Sequence, residues 1–118
     1  MAYTVGKIAQ LLDIPPSTIR FYDKKGLLPF VERSRGGVRL FTEADRERIE
    51  NILLLRRFGF SVEEIRDFVQ LEEQGPATRP QRLAILENRG RALEEEIAAL
   101  QETLSLLEES CRKYRDKG

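Results

Sequence analysis

Residues 4–26 read TVGKIAQLLDIPPSTIRFYDKKG, and the fold turns on how this stretch is punctuated. Thr4 is placed to cap a short helix whose apolar residues Val5, Ile8, Ala9, Leu11 and Leu12 share one face. Asp13-Ile14-Pro15 interrupts it, because a residue before proline is pushed out of the helical region. A second helix is expected from Pro16-Ser17, since proline suits a first helical turn, with Ile19 and either Tyr22 or Phe21 turned inward. It should end near Lys24-Lys25-Gly26, where cations favour a helix C-terminus and glycine supplies a left-handed cap. Two short helices a few residues apart make a helix-turn-helix candidate.

Outward from this pair the pattern changes. Between Phe30 and Phe41, Val31, Arg33, Val38 and Leu40 alternate around Ser34-Arg35-Gly36-Gly37, which predicts a β-hairpin. Thr42, with Asp45 three residues on, predicts a capped helix carrying Ile49, Ile52, Leu53 and Leu55 and stopping at Gly59. Ser61 and Glu64 form the same device for a helix with Ile65, Phe68, Val69 and Leu71 on one side. Gln74-Gly75-Pro76-Ala77 and Pro80 then read as a hinge. Beyond it, Leu83, Leu86, Gly90, Leu93, Ile97, Leu100, Leu104, Leu107, Cys111 and Tyr114 follow one another by alternating threes and fours. That is a heptad seam, apolar except at Gly90. So narrow a stripe on so long a helix needs a second helix; packing onto its own N-terminal domain is the weaker alternative to self-association. The expected division is 1–75 and 76–118.

Net charge is zero over the 118 residues, but it is unevenly distributed. Residues 1–60 hold 11 Lys/Arg against 7 Asp/Glu, and residues 61–118 hold 9 against 13. A basic first half is expected where only that half meets phosphate. The single Cys111 excludes an intramolecular disulfide. The longest apolar run, Ile52–Leu55, is far too short to span a bilayer, so a cytoplasmic protein without membrane association is expected. There is no histidine, no paired acid–base set and no phosphate loop, so neither an enzyme nor a bound cofactor or metal is expected.

Five segments, each on an element derived above, carry a resemblance to the MerR family: Tyr3-Thr4-Val5-Gly6, Ser17 to Asp23, Lys25-Gly26-Leu27-Leu28, Gly37 to Phe41, and Phe58 to Ile65. The resemblance implies a mainly α fold with a small β-hairpin: a winged helix-turn-helix followed by a long dimerisation helix in an antiparallel coiled coil. It also implies a homodimer on a pseudo-palindromic promoter operator, which bends and untwists double-stranded DNA so that RNA polymerase engages both promoter elements.

Ser17, Thr18 and Arg20 lie at the start of the second helix, the end that reaches bases and backbone in this geometry. Arg20 suits a phosphate or a guanine edge, whereas Ser17 is equally suited to capping the helix. Tyr22 matches a family tyrosine whose hydroxyl meets phosphate while its ring packs inward. Phe21 and Phe41 stand where the family often has tyrosine; Phe41 is kept among the candidate DNA contacts. In the hairpin, Arg33, Arg35 and Arg39 alternate toward one face, and Gly36 and Gly37 allow close backbone approach. Arg56 and Arg57 resemble a second wing contact, although two arginines ending a helix also complement its dipole. Leu83, Leu86, Leu93, Ile97, Leu100, Leu104, Leu107, Cys111 and Tyr114 are the candidate dimer contacts.

The resemblance also bears on the signal. Metal-sensing members use several cysteines near the end of the dimer helix, and Cys111 alone does not supply them. The region from Val69 to Tyr114 looks closest to the aldehyde- and thiol-stress-responsive subgroup, whose sensing cysteine corresponds to Leu54 here. Cys111 suits a small seam hydrophobe or, at a fraying helix end, a modifiable thiol. The effector is left open. A DNA-bending accessory protein resembling excisionases is the alternative function; such proteins lack a long dimer helix. A pure coiled-coil interaction protein would leave the arginines of the wing unexplained.

Overall fold

The computed structural model describes residues 2–31 and 39–117. Its helices are α1 (Val5–Leu12), α2 (Pro16–Lys24), α3 (Glu43–Arg57), α4 (Val62–Glu73) and α5 (Arg79–Lys117), with a 3-10 turn at Pro76–Thr78 before α5. The chain divides into two compact units, Met1–Arg79 and Pro80–Gly118.

Helix ends follow the local chemistry. The Thr4 hydroxyl accepts from the Lys7 N–H, and Asp13 closes α1 in the left-handed conformation at φ 55°. Aspartate is among the few side chains that tolerate this geometry. Both expected capping boxes are formed: Thr42 with Asp45, and Ser61 with Glu64. Each satisfies two of the backbone N–H groups that a helix start leaves unpaired. Gly59, at φ 102°, makes the turn between α3 and α4.

The core of the first unit is built from Ile8 and Ala9 of α1, Ile19 of α2, Leu27, Leu28, Phe41, Ile49, Ile52 and Leu55 of α3, and Ile65 and Val69 of α4, all buried. Each larger aliphatic group taken out of water contributes about 1.5–3 kcal/mol, so this cluster fixes how α2 is presented. An antiparallel bridge joins the chain start to the entry of α3. Tyr3 N–H donates to the Phe41 carbonyl at 2.6 Å, and Phe41 N–H donates to the Tyr3 carbonyl at 2.8 Å. The Tyr3 hydroxyl donates to Glu43 Oε2 at 2.8 Å, which holds the phenol in its neutral form and raises its pKa. The greater part of the expected hairpin, with Arg33, Arg35, Gly36 and Gly37, lies outside the described residues.

The second unit is almost wholly α5, 39 residues long and about 58 Å in length at 1.5 Å per residue. None of its residues is buried.

Candidate nucleic-acid interface

Helix α2 begins without a side-chain cap: Pro15 holds the N-cap position and Pro16 follows inside the first turn. Ser17 is therefore not the cap, and its hydroxyl is exposed at the helix start. Ser17, Thr18, Phe21 and Tyr22 line a depression of about 330 Å³ together with Arg56, the next-to-last residue of α3. Arg56 is held there by donating from Nη1 to the Phe60 carbonyl at 3.3 Å. The Tyr22 ring is buried, and burial raises the pKa of its phenol against the lowering influence of Arg56. A neutral phenol, two small hydroxyls, a guanidinium and a helix N-terminus around one concavity match the chemistry of a phosphate oxygen.

Arg57 does not join this group. It lies with Glu50 beside Leu11, Leu12, Ile14, Leu53 and Leu54, which line a shallow apolar groove on the α1–α3 side. Consecutive helical residues point about 100° apart, so the neighbouring arginines serve different surfaces. Leu54, at the place of the subgroup's sensing thiol, is half-exposed in this groove. Arg20 is exposed on α2, and Lys25 sits 5.6 Å from the centre of the Phe21 ring.

Two candidate contacts require correction. The Phe41 ring is fully enclosed in the core, and its backbone groups are taken by Tyr3, so it supports the interface from beneath. Arg39 does not project outward: its Nη2 and Nε donate to Asp23 Oδ1 and Oδ2 at 2.6 and 3.1 Å, and Nη1 donates to the Val31 carbonyl. Its side chain is 20% exposed, and that of Asp23 is 22% exposed. Asp23 belongs to α2, while Val31 and Arg39 flank residues 32–38. Arg39 thus ties both flanks of that segment to the helix-turn-helix. Arg66 of α4 was also missed; its Nε donates to the Lys25 carbonyl at 2.8 Å, placing a cation at the C-terminal end of α2.

Of the candidate dimer contacts, all nine lie on α5. Leu83, Ile97, Leu100, Leu104, Leu107 and Tyr114 are exposed large apolar groups, Cys111 is exposed, and Leu86 and Leu93 are half-buried. Among the described residues no cluster of three or more His, Cys, Asp or Glu is placed to hold a metal ion. No helix among them is long and apolar enough to cross a membrane.

Two helices joined by a tight turn, the second carrying polar and basic groups at its exposed start, define a helix-turn-helix DNA-binding protein. The profile of the MerR HTH family regulatory proteins matches residues 3–72, and that of the MerR DNA-binding region matches residues 46–109. An uncharacterised HTH-type transcriptional regulator of Haemophilus influenzae is 36% identical over 98% of this chain and 85% of its own length. The HTH-type transcriptional regulator ZntR of Escherichia coli is 33% identical, over 92% of this chain and 80% of its own. Among solved structures, HiNmlR, a MerR family regulator lacking the sensor domain and bound to promoter DNA, superposes with a TM-score of 0.77. That match has 36% identity and covers 98% of this chain and 92% of HiNmlR. The chain belongs to the MerR family of DNA-binding transcription regulators.

Proposed function

We propose that the protein binds a pseudo-palindromic operator in promoter DNA as a homodimer and distorts it to control transcription initiation by RNA polymerase, in the cytoplasm. The observation that carries this reading is the convergence of Ser17, Thr18, Tyr22 and Arg56 on one depression at the start of α2. Phosphate anchoring there sets the register of the helix, and Arg20 further along it is the candidate for base readout. The similarity to HiNmlR, whose structure holds promoter DNA, supports promoter DNA as the partner. The proposed contacts of Arg33, Arg35 and Gly37 extend it along the backbone. The long α5 favours a regulator over an excisionase-like accessory protein.

The architecture fits the aldehyde- and thiol-responsive subgroup, with Leu54 in place of its thiol, so the response does not run through that position. The test is a gel shift of the purified protein on DNA from upstream of its own gene, with a scrambled fragment as control. Specific retention of the first, with half-sites of opposite orientation in the footprint, supports the proposal; equal affinity for both fragments refutes it. Formaldehyde should leave retention unchanged.

A further inference from the structure

Helix α2 turns one face away from the core. Ile19 and Tyr22 are its buried residues, while Ser17, Arg20, Phe21 and Lys24, neighbours at three- and four-residue spacings, are exposed on the opposite side. Three of these four side chains carry hydrogen-bond donors. The other, Phe21, is a phenyl group left 44% exposed beside the cations of Arg20 and Lys24. We infer that Phe21 reads sequence: its ring meets the C5-methyl group of one thymine in each half-site of the operator. This rests on the DNA-binding reading of α2 above and goes beyond it by assigning base specificity to a side chain that can neither donate nor accept a hydrogen bond.

The surroundings of the ring separate this role from that of an ordinary exposed hydrophobe. Leu11 and Leu54 are also exposed, but they share an apolar groove with Leu12, Ile14 and Leu53. Phe21 instead lines the depression formed with Ser17, Thr18, Tyr22 and Arg56, whose hydroxyls and guanidinium suit phosphate. An apolar protein surface seated on Phe21 would strip water from those polar groups without replacing it. A DNA duplex supplies partners for them and an apolar target for the ring together. In the major groove that target is the thymine methyl, because the other distinguishing groups on the base edges are hydrogen-bond donors and acceptors, which a phenyl ring cannot answer.

The ring is also held in place before DNA arrives. Its centre lies 6.1 Å from that of the buried Tyr22 ring, with the two planes tilted by 53°. Lys25 Nζ stands over it at 5.6 Å from the centre. A side chain ordered in the free protein loses little freedom on binding, so more of the methyl contact is expressed as affinity. Exposure of Phe21 does nothing for the fold, whereas covering its remaining surface stabilises the complex.

The experiment uses the full-length chain and synthetic duplexes of the sequence it protects upstream of its own gene. Each thymine is replaced in turn by deoxyuridine, which removes the C5-methyl and leaves every hydrogen-bonding group in place. One thymine in each half-site, at symmetry-related positions, should weaken binding about fourfold when replaced alone and about fifteenfold when both are replaced. In Phe21→Ala, thymine and deoxyuridine should bind equally at that position. Cytosine and 5-methylcytosine placed there should differ about fourfold in favour of the methylated base for wild type, and not at all for Phe21→Ala. Should Phe21→Ala misfold, Phe21→Gln, polar and of good helix propensity, reads the same loss of methyl preference. Wild-type indifference to deoxyuridine at every position overturns the inference. So does a methyl preference that persists at every sensitive position in the Phe21 variants, or a loss of affinity in them equal on operator and scrambled duplexes, since a ring packed on the sugar-phosphate backbone would give either result. A wild-type protein that binds operator and scrambled duplex equally would instead overturn the operator reading, and this contact with it.

Discussion

Replacing Arg39 by alanine separates two accounts of the same side chain. If Arg39 met DNA phosphate, its loss would leave folding stability within about 0.5 kcal/mol and flatten the salt dependence of binding by about one unit of logarithmic slope. The structure leads to the opposite pattern. Arg39 makes two charge-assisted hydrogen bonds to Asp23 and a third to the Val31 carbonyl, with both charged side chains about four-fifths covered. Its removal takes the Arg39 hydrogen bonds from a largely covered carboxylate and a carbonyl, each loss costing about 1–3 kcal/mol when the group is fully desolvated. Remaining solvent access reduces that cost, so the expected loss is about 2 kcal/mol. The assay is urea unfolding at one fixed protein concentration, since an associating protein's midpoint moves with concentration. Arg39→Ala, Asp23→Ala and the double variant close a thermodynamic cycle. The expected coupling between the sites is about 1–3 kcal/mol, with the double variant little worse than either single one. DNA affinity should fall while the salt slope stays near the wild-type value. A stable Arg39→Ala protein with a slope reduced by one unit would refute the clamp.

Three further outcomes follow from the same geometry. Tyr22→Phe keeps the buried ring and removes the hydroxyl, so DNA affinity should fall on all sequences while stability at neutral pH changes by less than about 0.5 kcal/mol. Burial raises the folded pKa of Tyr22 above its ordinary value of 10.0, so the wild type has a contribution to stability that is present below pH 10.0 and lost as pH rises through the folded pKa; alkaline titration of unfolding should show this loss in wild type and not in Tyr22→Phe. Arg56→Ala should weaken DNA binding and lower its salt slope by about one unit, whereas Arg57→Ala, on the other side of α3, should leave the slope unchanged, as fluorescence anisotropy over a salt series would show. Ser61→Ala removes a hydroxyl cap from α4 and should destabilise the protein by about 1 kcal/mol in urea unfolding, with DNA affinity per folded molecule unaltered.

Features governed by residues three or four apart were legible in the sequence. The Thr42–Asp45 and Ser61–Glu64 boxes are closed by chemistry within one helical turn. The α5 seam is a repetition of one spacing along one straight element. The features missed join distant residues: Tyr3 to Phe41, Arg39 to Asp23, and Arg66 to Lys25. Alternation along 30–41 assigned Arg39 a face by period two, but such a period says nothing of whether that face meets solvent or a neighbouring helix. Phe41 was misread for the same reason: its resemblance to a family tyrosine indicated a position in the fold without indicating its burial.

One signal for the clamp was nevertheless present. Asp23 is the sole acidic residue in α2, beside Arg20, Lys24 and Lys25, on the helix assigned to face phosphate. A carboxylate on such a face repels the ligand unless a cation of the protein neutralises it. Its presence there calls for an internal arginine, and bidentate pairing with a carboxylate is what a guanidinium does best. Arg39 answers that requirement, and its bond to the Val31 carbonyl draws in the other flank of residues 32–38. Val31 and Arg39 are therefore both fastened to α2 through an ion pair inside the protein. The proposed DNA contacts of Arg20 and Arg56 are then not opposed by an uncompensated Asp23 carboxylate.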